Sequence, residues 1–486
     1  MTTLKTLLVL PIREGDNFKI APDLGLLYLG TALRGEGFDV TILDCPKEKF
    51  SFKDFKAFIQ DGNYDVVGFR CYSRDHNYVN HHINIVRQVN PSALTLIGGP
   101  HPSALPEFVL ESMPNLDFAW KAEAEEGLPD LLHYFAEYGR DIAGSLLEGV
   151  PGLVWRSRST GSTVVNTPSF GKDLDSYGIP AWDLVDPESY PGAIWDEHYP
   201  ILTTRGCPYP CTYCNTPGLS GRKLRHRSVG HVIEELRLLK NRYGVRRFSI
   251  VDDEFTLNKH YATRFSEALA NANLNLKWDC PVGVRLDSLY PELLETMEVA
   301  GCENLAVGIE SGNERIQELI KKKVTVETIR KKAAMISGCS NIQIVGYFMI
   351  GFLDETEKEI NDTIKLASEL GLRRANFNVV IPIPGTALFD EVVEQGLLKV
   401  EEINWDTLTS DQIAFKRRHL TGKRLLQLQR HAYLRFYGRP RIIWDMTREV
   451  LRDRGVMKIS FKKMRMLSWR KETYSFVPMY LREKFV

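Results

Sequence analysis

The sequence lacks a long apolar run, an excess of charge and a recognisable export signal. No stretch approaches the roughly 18 consecutive apolar residues that span a bilayer, so we expect no membrane span. A short apolar run, LLVLPI, stands near the start without a small-residue cleavage site after it. We interpret it as a buried strand rather than a signal peptide. The 62 basic and 62 acidic side chains cancel, and we predict no nucleic-acid partner.

The balanced charge conceals an uneven distribution along the chain. Residues 401–486 hold 20 Lys and Arg against 9 Asp and Glu, so this segment carries about +11 and the remainder about −11. A solvated helical surface would explain the excess, and so would an acidic substrate, a protein partner or a membrane surface. The sequence alone leaves these four interpretations open.

Cysteine is scarce outside one short segment. Of the 8 cysteines, five are scattered along the chain, which argues against a disulfide framework and favours a cytoplasmic location. The three others are Cys207, Cys211 and Cys214, spaced C-x3-C-x2-C within residues 203–215, TTRGCPYPCTYCN. A glycine and two prolines prevent a regular helix or strand there. The thiolates therefore lie on a loop that can wrap a metal, and we call residues 203–215 the cysteine loop.

The cysteine loop has no fourth Cys or His nearby at the spacing of a zinc finger. A structural zinc site needs four ligands, whereas three ligands leave one metal position open. An open position can bind a small molecule, so the loop indicates chemistry as well as structure. A zinc knuckle, or three unrelated cysteines, is the alternative interpretation.

The loop resembles the cluster-binding loop of the radical S-adenosylmethionine (SAM) enzymes. Their motif, C-x3-C-x-aromatic-C, is matched with Tyr213 as the aromatic residue. The resemblance implies that Cys207, Cys211 and Cys214 hold a [4Fe–4S] cluster whose open iron binds SAM. Reductive cleavage of SAM would give a 5′-deoxyadenosyl radical, which abstracts hydrogen from a small-molecule substrate. An electron donor such as flavodoxin or ferredoxin is expected as a partner.

Residues 1–150 alternate strand and helix patterns, and several of the strands are nearly continuous apolar runs, as in parallel sheets buried on both faces. This alternation predicts a Rossmann or flavodoxin-like domain, in which ligands bind beyond the carboxyl ends of the strands. The predicted strands are residues 4–12, 39–44, 65–71, 93–98 and 118–122, and the predicted helices are residues 24–34, 51–60, 77–90 and 125–138.

Two stretches of this domain, residues 22–29 (PDLGLLYL) and 98–107 (GGPHPSALPE), resemble the cobalamin-binding domain that precedes the radical domain in one large SAM subfamily. The resemblance continues into residues 151–195, a predicted linker with a small hairpin. It implies cobalamin as a further cofactor, with His101 as a candidate contact in a ligand-side loop together with residues 13–23 and 70–77.

The sequence departs from the cobalamin-binding pattern in two places. It has no D-x-H-x-x-G segment to supply a histidine to cobalt, and the loop RCYSRDHN after the third strand is bulky and charged where small hydroxyl residues are expected. Such side chains would fill the space or bind something else. We interpret His76, His81 and His82 as surface residues, because two of them are adjacent in a predicted helix and cannot share a face.

Residues 196–400 contain six strand–helix units, too few for a closed eight-stranded barrel and typical of the partial (β/α)6 barrel of radical SAM enzymes. Residues 401–486 predict a helical, basic cap with helices at 421–437 and 442–454. The predicted strands of the barrel are residues 199–204, 247–252, 276–284, 304–309, 342–350 and 374–381.

Residues at the carboxyl ends of these strands continue the resemblance, since active sites of such barrels lie at that edge. Their order along the chain matches the SAM-binding stretches of the family. The resemblance assigns Asp252, Asp253 and Glu254 to the methionyl ammonium, Arg285 to the methionyl carboxylate, Glu310 and Ser311 to the ribose, and Gly346, Gly351 and Pro384 to the adenine side.

Three functions agree with these motifs. The first is cobalamin-dependent methylation of a carbon atom. The second is a radical reaction without cobalamin, such as dehydration or deoxygenation of an aminoglycoside sugar diol, a cyclisation or another rearrangement, with the N-terminal domain as a scaffold. The third is a non-catalytic iron–sulfur sensor. We take methylation as the working hypothesis; substrate and oligomeric state stay open.

Overall fold

A computed structural model of the protein describes residues 4–12, 21–190, 198–407 and 414–452. Its N-terminal sheet has seven strands in the order β2-β1-β3-β4-β5-β6-β7. The first five are parallel and the last two form an antiparallel hairpin on β5. These strands are β1 Lys5–Leu10, β2 Asp39–Asp44, β3 Val66–Arg70, β4 Leu94–Gly98, β5 Phe118–Trp120, β6 Leu153–Arg156 and β7 Thr163–Val165.

Helices cover both faces of this sheet, which explains the continuous apolar runs. In β1, Leu7 and Val9 pack into one hydrophobic layer and Leu8 and Leu10 into the other. The predicted Rossmann or flavodoxin-like fold is confirmed, and the hairpin expected in the linker extends the sheet. The helices are α1 Leu24–Gly35, α2 Cys45–Glu48, α3 Phe52–Gly62, α4 His76–Val89, α5 Pro100–Ala104, α6 Pro106–Ser112, α7 Gly127–Tyr138 and α8 Gly144–Glu148.

The interpretation of the histidines of α4 as surface residues is wrong for two of the three. His76 and His82 are buried with Val79 and Val86 on the face of the helix that meets the sheet. The ring of His82 hydrogen-bonds the backbone oxygen of Tyr78 at 2.7 Å, which satisfies a polar group in this interior. His81, one position along, is exposed as predicted.

The second sheet has six parallel strands in the order β15-β14-β13-β12-β11-β8. Among the described residues, β8 and β15 have no further strand beside them in this sheet, so it does not close on itself. The predicted partial (β/α)6 barrel is confirmed. Its strands are β8 His198–Ile201, β11 Arg247–Ile250, β12 Lys277–Val284, β13 Cys302–Glu310, β14 Gln343–Ile350 and β15 Arg374–Val379.

A short antiparallel ladder of two residue pairs brings together the segments on either side of the cysteines. It pairs β9 Thr204–Arg205 with β10 Arg225–His226. The ladder closes the base of the cysteine loop, beyond the carboxyl end of β8. The helices of the barrel are α9 Thr216–Ser220, α10 Val229–Tyr243, α11 Lys259–Asn271, α12 Pro291–Val299, α13 Glu314–Leu319, α14 Val326–Cys339, α15 Glu357–Glu369 and α16 Ala387–Glu394.

Two helices follow the barrel, α17 Gly422–Tyr437 and α18 Pro440–Arg452, as predicted. Side chains of α17 bond to the backbone of the edge strand β15: Tyr433 Oη accepts from the N–H of Phe377 at 3.1 Å, and Tyr437 Oη accepts from the N–H of Ala375 at 3.1 Å. The basic residues beyond 452 lie outside the described part of the chain. No helix in the described ranges is both long and apolar enough to cross a membrane.

Candidate active site

The cysteine loop leaves the β9–β10 ladder at Gly206, whose positive φ of 94° and close approach to the backbone oxygen of Lys223 require glycine. Two backbone bonds then shape the loop. The N–H of Cys207 donates to the oxygen of Gly221 at 3.1 Å, and the N–H of Cys214 donates to the oxygen of Cys211 at 3.2 Å. All three cysteine side chains are half-buried and none is in a disulfide.

The cysteine loop offers three thiols as metal ligands. Across the described residues, no group of three or more His, Cys, Asp or Glu side chains is gathered closely enough to hold one metal ion. Iron–sulfur clusters are held by cysteine thiolates, so Cys207, Cys211 and Cys214 are the residues that would hold a [4Fe–4S] cluster.

The three acidic residues after β11, Asp252, Asp253 and Glu254, have different surroundings. Asp252 is buried and accepts hydrogen bonds from the N–H of Thr203 at 2.6 Å and from the hydroxyls of Thr203 and Thr204. Burial raises the pKa of Asp252 to about 6, although these bonds oppose the shift. Both of its oxygens are used, so Asp252 holds the segment that delivers the cysteine loop.

Asp253 and Glu254 lie nearer the cysteines. Asp253 accepts from the N–H of Gly206 at 3.4 Å and from the Thr216 hydroxyl at 3.1 Å, which ties together the two ends of the loop. Glu254 accepts at Oε1 from the N–H of Arg285 at 3.3 Å and from the Thr256 hydroxyl at 3.1 Å. Its Oε2 makes no hydrogen bond within the described ranges.

Burial gives Glu254 an unusual protonation equilibrium. It raises the pKa of this carboxyl to about 7. Burial also raises the pKa of the Cys207 thiol, and the Glu254 carboxylate adds to that shift. A carboxyl with such a pKa becomes fully ionised when a cation arrives beside it. Glu254 is therefore the acidic residue best placed to hold an ammonium group next to the cysteines.

Arg285 lies against the cysteine loop, with its guanidinium carbon 3.7 Å from the ring centre of Tyr209. Its Nε and Nη2 bind the two oxygens of Asp287 at 3.0 Å each, and its Nη1 donates to the backbone oxygen of Lys322 at 2.9 Å. The residue is thus brought to the site, while its bidentate contact goes to an aspartate of its own strand end. Its role toward a SAM carboxylate stays a prediction.

Glu310 forms a buried group with Tyr213 of the cysteine loop and with Lys322. Glu310 Oε1 accepts from the Tyr213 hydroxyl at 3.0 Å and from Lys322 Nζ at 2.8 Å, and its φ is +63°. A Cβ at Gly308 would come within 2.7 Å of both charged ends, so glycine leaves room for the pair. The nearby Lys322 charge favours the thiolate of Cys211, against the effect of burial, which raises the pKa of that thiol.

Sequence reasoning missed Lys322. It lies in a run of three lysines, 321–323, that looks like a solvated surface segment. Left-handed backbone at Lys321 and Lys323, with φ of 54° and 59°, turns the middle side chain inward. Only that backbone geometry distinguishes Lys322 from its neighbours, and no sequence pattern predicts its burial.

The remaining residues predicted to bind SAM lie near the carboxyl edge of the barrel sheet, and their contacts are contacts within the protein. Ser311 is fully buried and bonds the Thr363 hydroxyl at 3.1 Å. A Cβ at Gly346 or at Gly351 would clash with Leu372 or with Leu425, so packing requires glycine at both positions. Pro384 precedes Gly385, which approaches Asn215 at the end of the cysteine loop. Their contacts to SAM stay predictions.

A cavity of about 320 Å³ joins the carboxyl edge of the N-terminal sheet to the barrel. We call it the interdomain cavity. Its N-terminal wall combines apolar side chains with glycines and a few charged groups, and its opposite wall carries charged groups of the radical domain. Its lining includes Gly25, Gly68, Arg70, Gly98 and Gly99 from one side and Arg205, Ser220, Val251 and Asp253 from the other.

The interdomain cavity fits a large cofactor with polar groups. Gly99 has a φ of +114°, and a Cβ there would stand 2.9 Å from the oxygen of Cys71, so the wall stays flat. One buried lining donor, Tyr28 Oη, has no hydrogen-bond partner among the described residues, and Arg70 Nε forms an ion pair with Asp23 at 3.6 Å. Apolar walls, glycine backbone and an orphaned donor together suit the tail of a corrin.

The bulky loop after β3 does not fill this cavity. Of residues 70–76 only Arg70 lines it, held by Tyr72 at 2.8 Å and by Asp23 at 3.6 Å. His101 is absent from the lining. It is fully buried, bonds His76 at 3.0 Å and the Ser73 hydroxyl at 3.2 Å, and burial lowers its pKa to about 3. Most of the predicted loop at residues 13–23 lies outside the described residues.

Two family models match the chain, the radical SAM superfamily over residues 201–367 and the B12 binding domain over residues 19–132. An uncharacterized methyltransferase of Pyrococcus horikoshii is 30% identical over 450 residues, which cover 91% of this chain and 94% of that protein. The cytidylyl-2-hydroxyethylphosphonate methyltransferase of Streptomyces wedmorensis is 28% identical, over 78% and 79% of the two chains.

The fold is also similar to that of a solved structure. The radical SAM methyltransferase TsrM of Kitasatospora setae, with cobalamin and a [4Fe–4S] cluster bound, aligns with a TM-score of 0.67 over 81% of this chain and 75% of that one, at 19% identity. Fold, cysteine loop and both domain matches agree. The chain therefore belongs to the radical SAM superfamily, in the group whose members carry a B12-binding domain before the radical domain.

Proposed function

We propose that the protein is a cobalamin-dependent radical SAM methyltransferase that methylates a carbon atom of a small-molecule substrate. The interdomain cavity carries this proposal. Its lining includes Gly98 and Gly99 of the B12-type sheet and Asp253, which hydrogen-bonds the base of the cysteine loop. A ligand in the cavity thus lies between the two cofactor-type domains, which a purely structural N-terminal domain would not require.

Different residues would bind the cluster and the charged groups of SAM. When bound, the cluster supplies an electron, SAM supplies a radical and a methyl group, and cobalamin relays the methyl group. Cys207, Cys211 and Cys214 hold the cluster through thiolates and leave one iron for SAM. Glu254 would bind the methionyl ammonium, and Arg285 the methionyl carboxylate, while the buried ammonium of Lys322, paired with Glu310, favours the thiolate of Cys211.

Side chains packed around the cysteine loop reduce the solvent screening of the charged groups at the proposed SAM site. Tyr213 packs against Phe352 and donates to Glu310, and Arg285 covers Tyr209 on the other side. These contacts shield the thiolates in part, since the three cysteines are half-buried, and electrostatic attraction between the cofactor groups and the buried side chains is more weakly screened than in water. An external electron donor such as flavodoxin or ferredoxin completes the proposal.

Cofactor binding and SAM cleavage test the proposal together. Anaerobic protein reconstituted with iron and sulfide is incubated with hydroxocobalamin, desalted, and examined for a corrin spectrum. We expect about one retained corrin per chain and formation of 5′-deoxyadenosine from SAM and a reductant. Complete loss of the corrin colour, with 5′-deoxyadenosine still formed, would contradict methylation and favour a radical reaction without cobalamin.

A further inference from the structure

Arg205 connects the two halves of the proposed site. It lies in the cysteine loop, directly before Gly206 and two residues before Cys207, and it also lines the interdomain cavity. Its Nη2 donates to Glu125 of the N-terminal domain at 2.7 Å, and its Nη1 lies 3.5 Å from Glu123. All three side chains are about nine-tenths buried or more.

A second arginine completes this group. Arg225, opposite Arg205 in the β9–β10 ladder, binds both oxygens of Glu123 at 2.5 and 2.9 Å. It also donates to the backbone oxygens of Gly171 and Ser220, at 2.8 Å each. Two arginines of the radical domain are therefore paired with two glutamates that follow β5, and we call these four residues the arginine bridge.

Aromatic rings fix Arg205 in this position. Its guanidinium lies 4.9 Å from the ring centre of Tyr28 and 5.2 Å from that of Tyr177. Tyr28 lines the cavity with its unpartnered hydroxyl, and the Tyr177 hydroxyl accepts from the N–H of Gly171 at 3.1 Å. A ligand that bonds Tyr28 therefore touches a side chain stacked on Arg205, two residues before the first cysteine of the loop.

We propose that Arg205 is a positioning residue that couples occupancy of the interdomain cavity to the geometry of the cysteine loop. The inference rests on the proposed function, because it takes a corrin as the occupant. Arg205 touches no reacting atom. It transmits the position of the N-terminal wall through the arginine bridge on one side and one peptide unit to Gly206 on the other.

The physical basis of this coupling is that the side chains of the arginine bridge cannot move independently of one another. Buried ion pairs depend strongly on geometry, since a displaced partner leaves an uncompensated charge in the interior. A planar guanidinium held by two carboxylates and two rings cannot shift on one side alone. Binding in the cavity and assembly of the cluster should thus favour each other reciprocally, by a factor in the usual range of about 5 to 150.

The test compares corrin affinity in protein with and without its cluster. Hydroxocobalamin is the probe, and its dissociation constant is measured by equilibrium dialysis under anaerobic conditions. We expect the cluster to tighten corrin binding of the unaltered protein about tenfold. We also expect corrin to change the Mössbauer spectrum of the cluster, a signal that corrin absorption does not obscure.

Three variants separate positioning from folding. Arg205→Gln should reduce the coupling to near unity and remove the Mössbauer change, while Arg205→Lys, which keeps the charge, should restore part of both. Arg227→Lys is the matched control. Arg227 is even more deeply buried than Arg205 and pairs with Glu235 inside the radical domain, but it does not line the cavity. We expect normal coupling in that variant.

The outcomes distinguish this inference from the proposed function. If the unaltered protein retains no corrin, the proposed function fails and the inference fails with it. If it retains corrin with the same affinity with and without the cluster, only the inference is overturned, whatever the variants do. Full coupling in a folded Arg205→Gln variant would likewise overturn it.

Discussion

The carboxyl edges of the two sheets differ in the side chains that they present. At the edge of the N-terminal sheet, the wall of the interdomain cavity is mostly apolar side chains and glycines, with few charged groups. At the edge of the barrel, Glu254, Glu310 and Lys322 present buried ionisable groups around three thiols. We therefore expect the first edge to select its ligand mainly by shape and the second mainly by charge. Substitutions should therefore have graded, steric effects at one edge and large, electrostatic effects at the other.

The largest expected effect is that of Cys207→Ala, which should abolish the chemistry at the barrel edge and leave corrin binding at the other edge. Cys207→Ala removes one of three cluster ligands, so 5′-deoxyadenosine formation should fall to background and the iron content should drop, as measured by product chromatography and iron analysis. Corrin retention should persist, weakened by no more than the coupling described above. Formation of 5′-deoxyadenosine at the unaltered rate would contradict the assignment of the cluster.

Glu254→Gln should weaken SAM binding by roughly 13- to 160-fold, which corresponds to the loss of a charge-assisted hydrogen bond of about 1.5–3 kcal/mol. The unaltered protein should bind SAM more tightly as pH rises from 6 to 8, because the pKa of Glu254 is about 7 and only the carboxylate attracts the ammonium. The variant should lose this slope. Equilibrium binding at several pH values measures both effects, and an unchanged slope would assign the titration to another group.

The same carboxyl predicts the opposite trend for stability. Burial raises its pKa in the folded protein above the ordinary value of 4.5, so the folded state binds the proton more tightly than the unfolded state. Its contribution to stability is present below pH 4.5 and is lost as pH rises through 7. Thermal unfolding of protein without SAM should show that Glu254→Gln is stabilised relative to the unaltered protein more at pH 8 than at pH 5. A constant difference would contradict the shifted pKa.

Gly99→Ala tests the shape-selective edge. The positive φ of Gly99 and the close oxygen of Cys71 oppose any side chain, so we expect about 1–3 kcal/mol of lost stability. Corrin affinity should fall with it, while SAM binding stays unchanged. Gly161→Ala is the matched control, because its φ of +72° is also positive but a Cβ there meets nothing within 4 Å. Equal loss of corrin affinity in both variants would contradict the role of the flat wall.

Tyr28→Phe should give the smallest effect. It removes only the unpartnered hydroxyl, so corrin binding should weaken by about 0.5–1.5 kcal/mol, or roughly 2- to 13-fold, with unaltered SAM cleavage. The same dialysis measurement applies. Unchanged corrin affinity would show that the hydroxyl does not contact the cofactor.

Much of this architecture was predictable because its signals are local. Apolar runs located the strands of both sheets to within a few residues, and the cysteine spacing located the loop. The arginine bridge was not predictable, because Arg205 and Glu125 are separated by 80 residues and each is an ordinary charged residue in its own segment. Lys322 was missed for a related reason, since its burial follows from the left-handed backbone of its neighbours. His101 shows the converse: a suggestive motif position is occupied by a side chain that packs in the interior.

The tyrosines of α17 have a consequence for the behaviour of the protein in solution. An open parallel sheet ends in unpaired backbone groups that can recruit strands from other molecules. Tyr433 and Tyr437 occupy the N–H groups of Phe377 and Ala375, so a helix takes the place of the missing neighbour. A chain shortened before residue 421 should keep its cysteine loop yet self-associate through β15. We thus expect the C-terminal helices to protect the edge strand of the barrel from aggregation as well as to complete its fold.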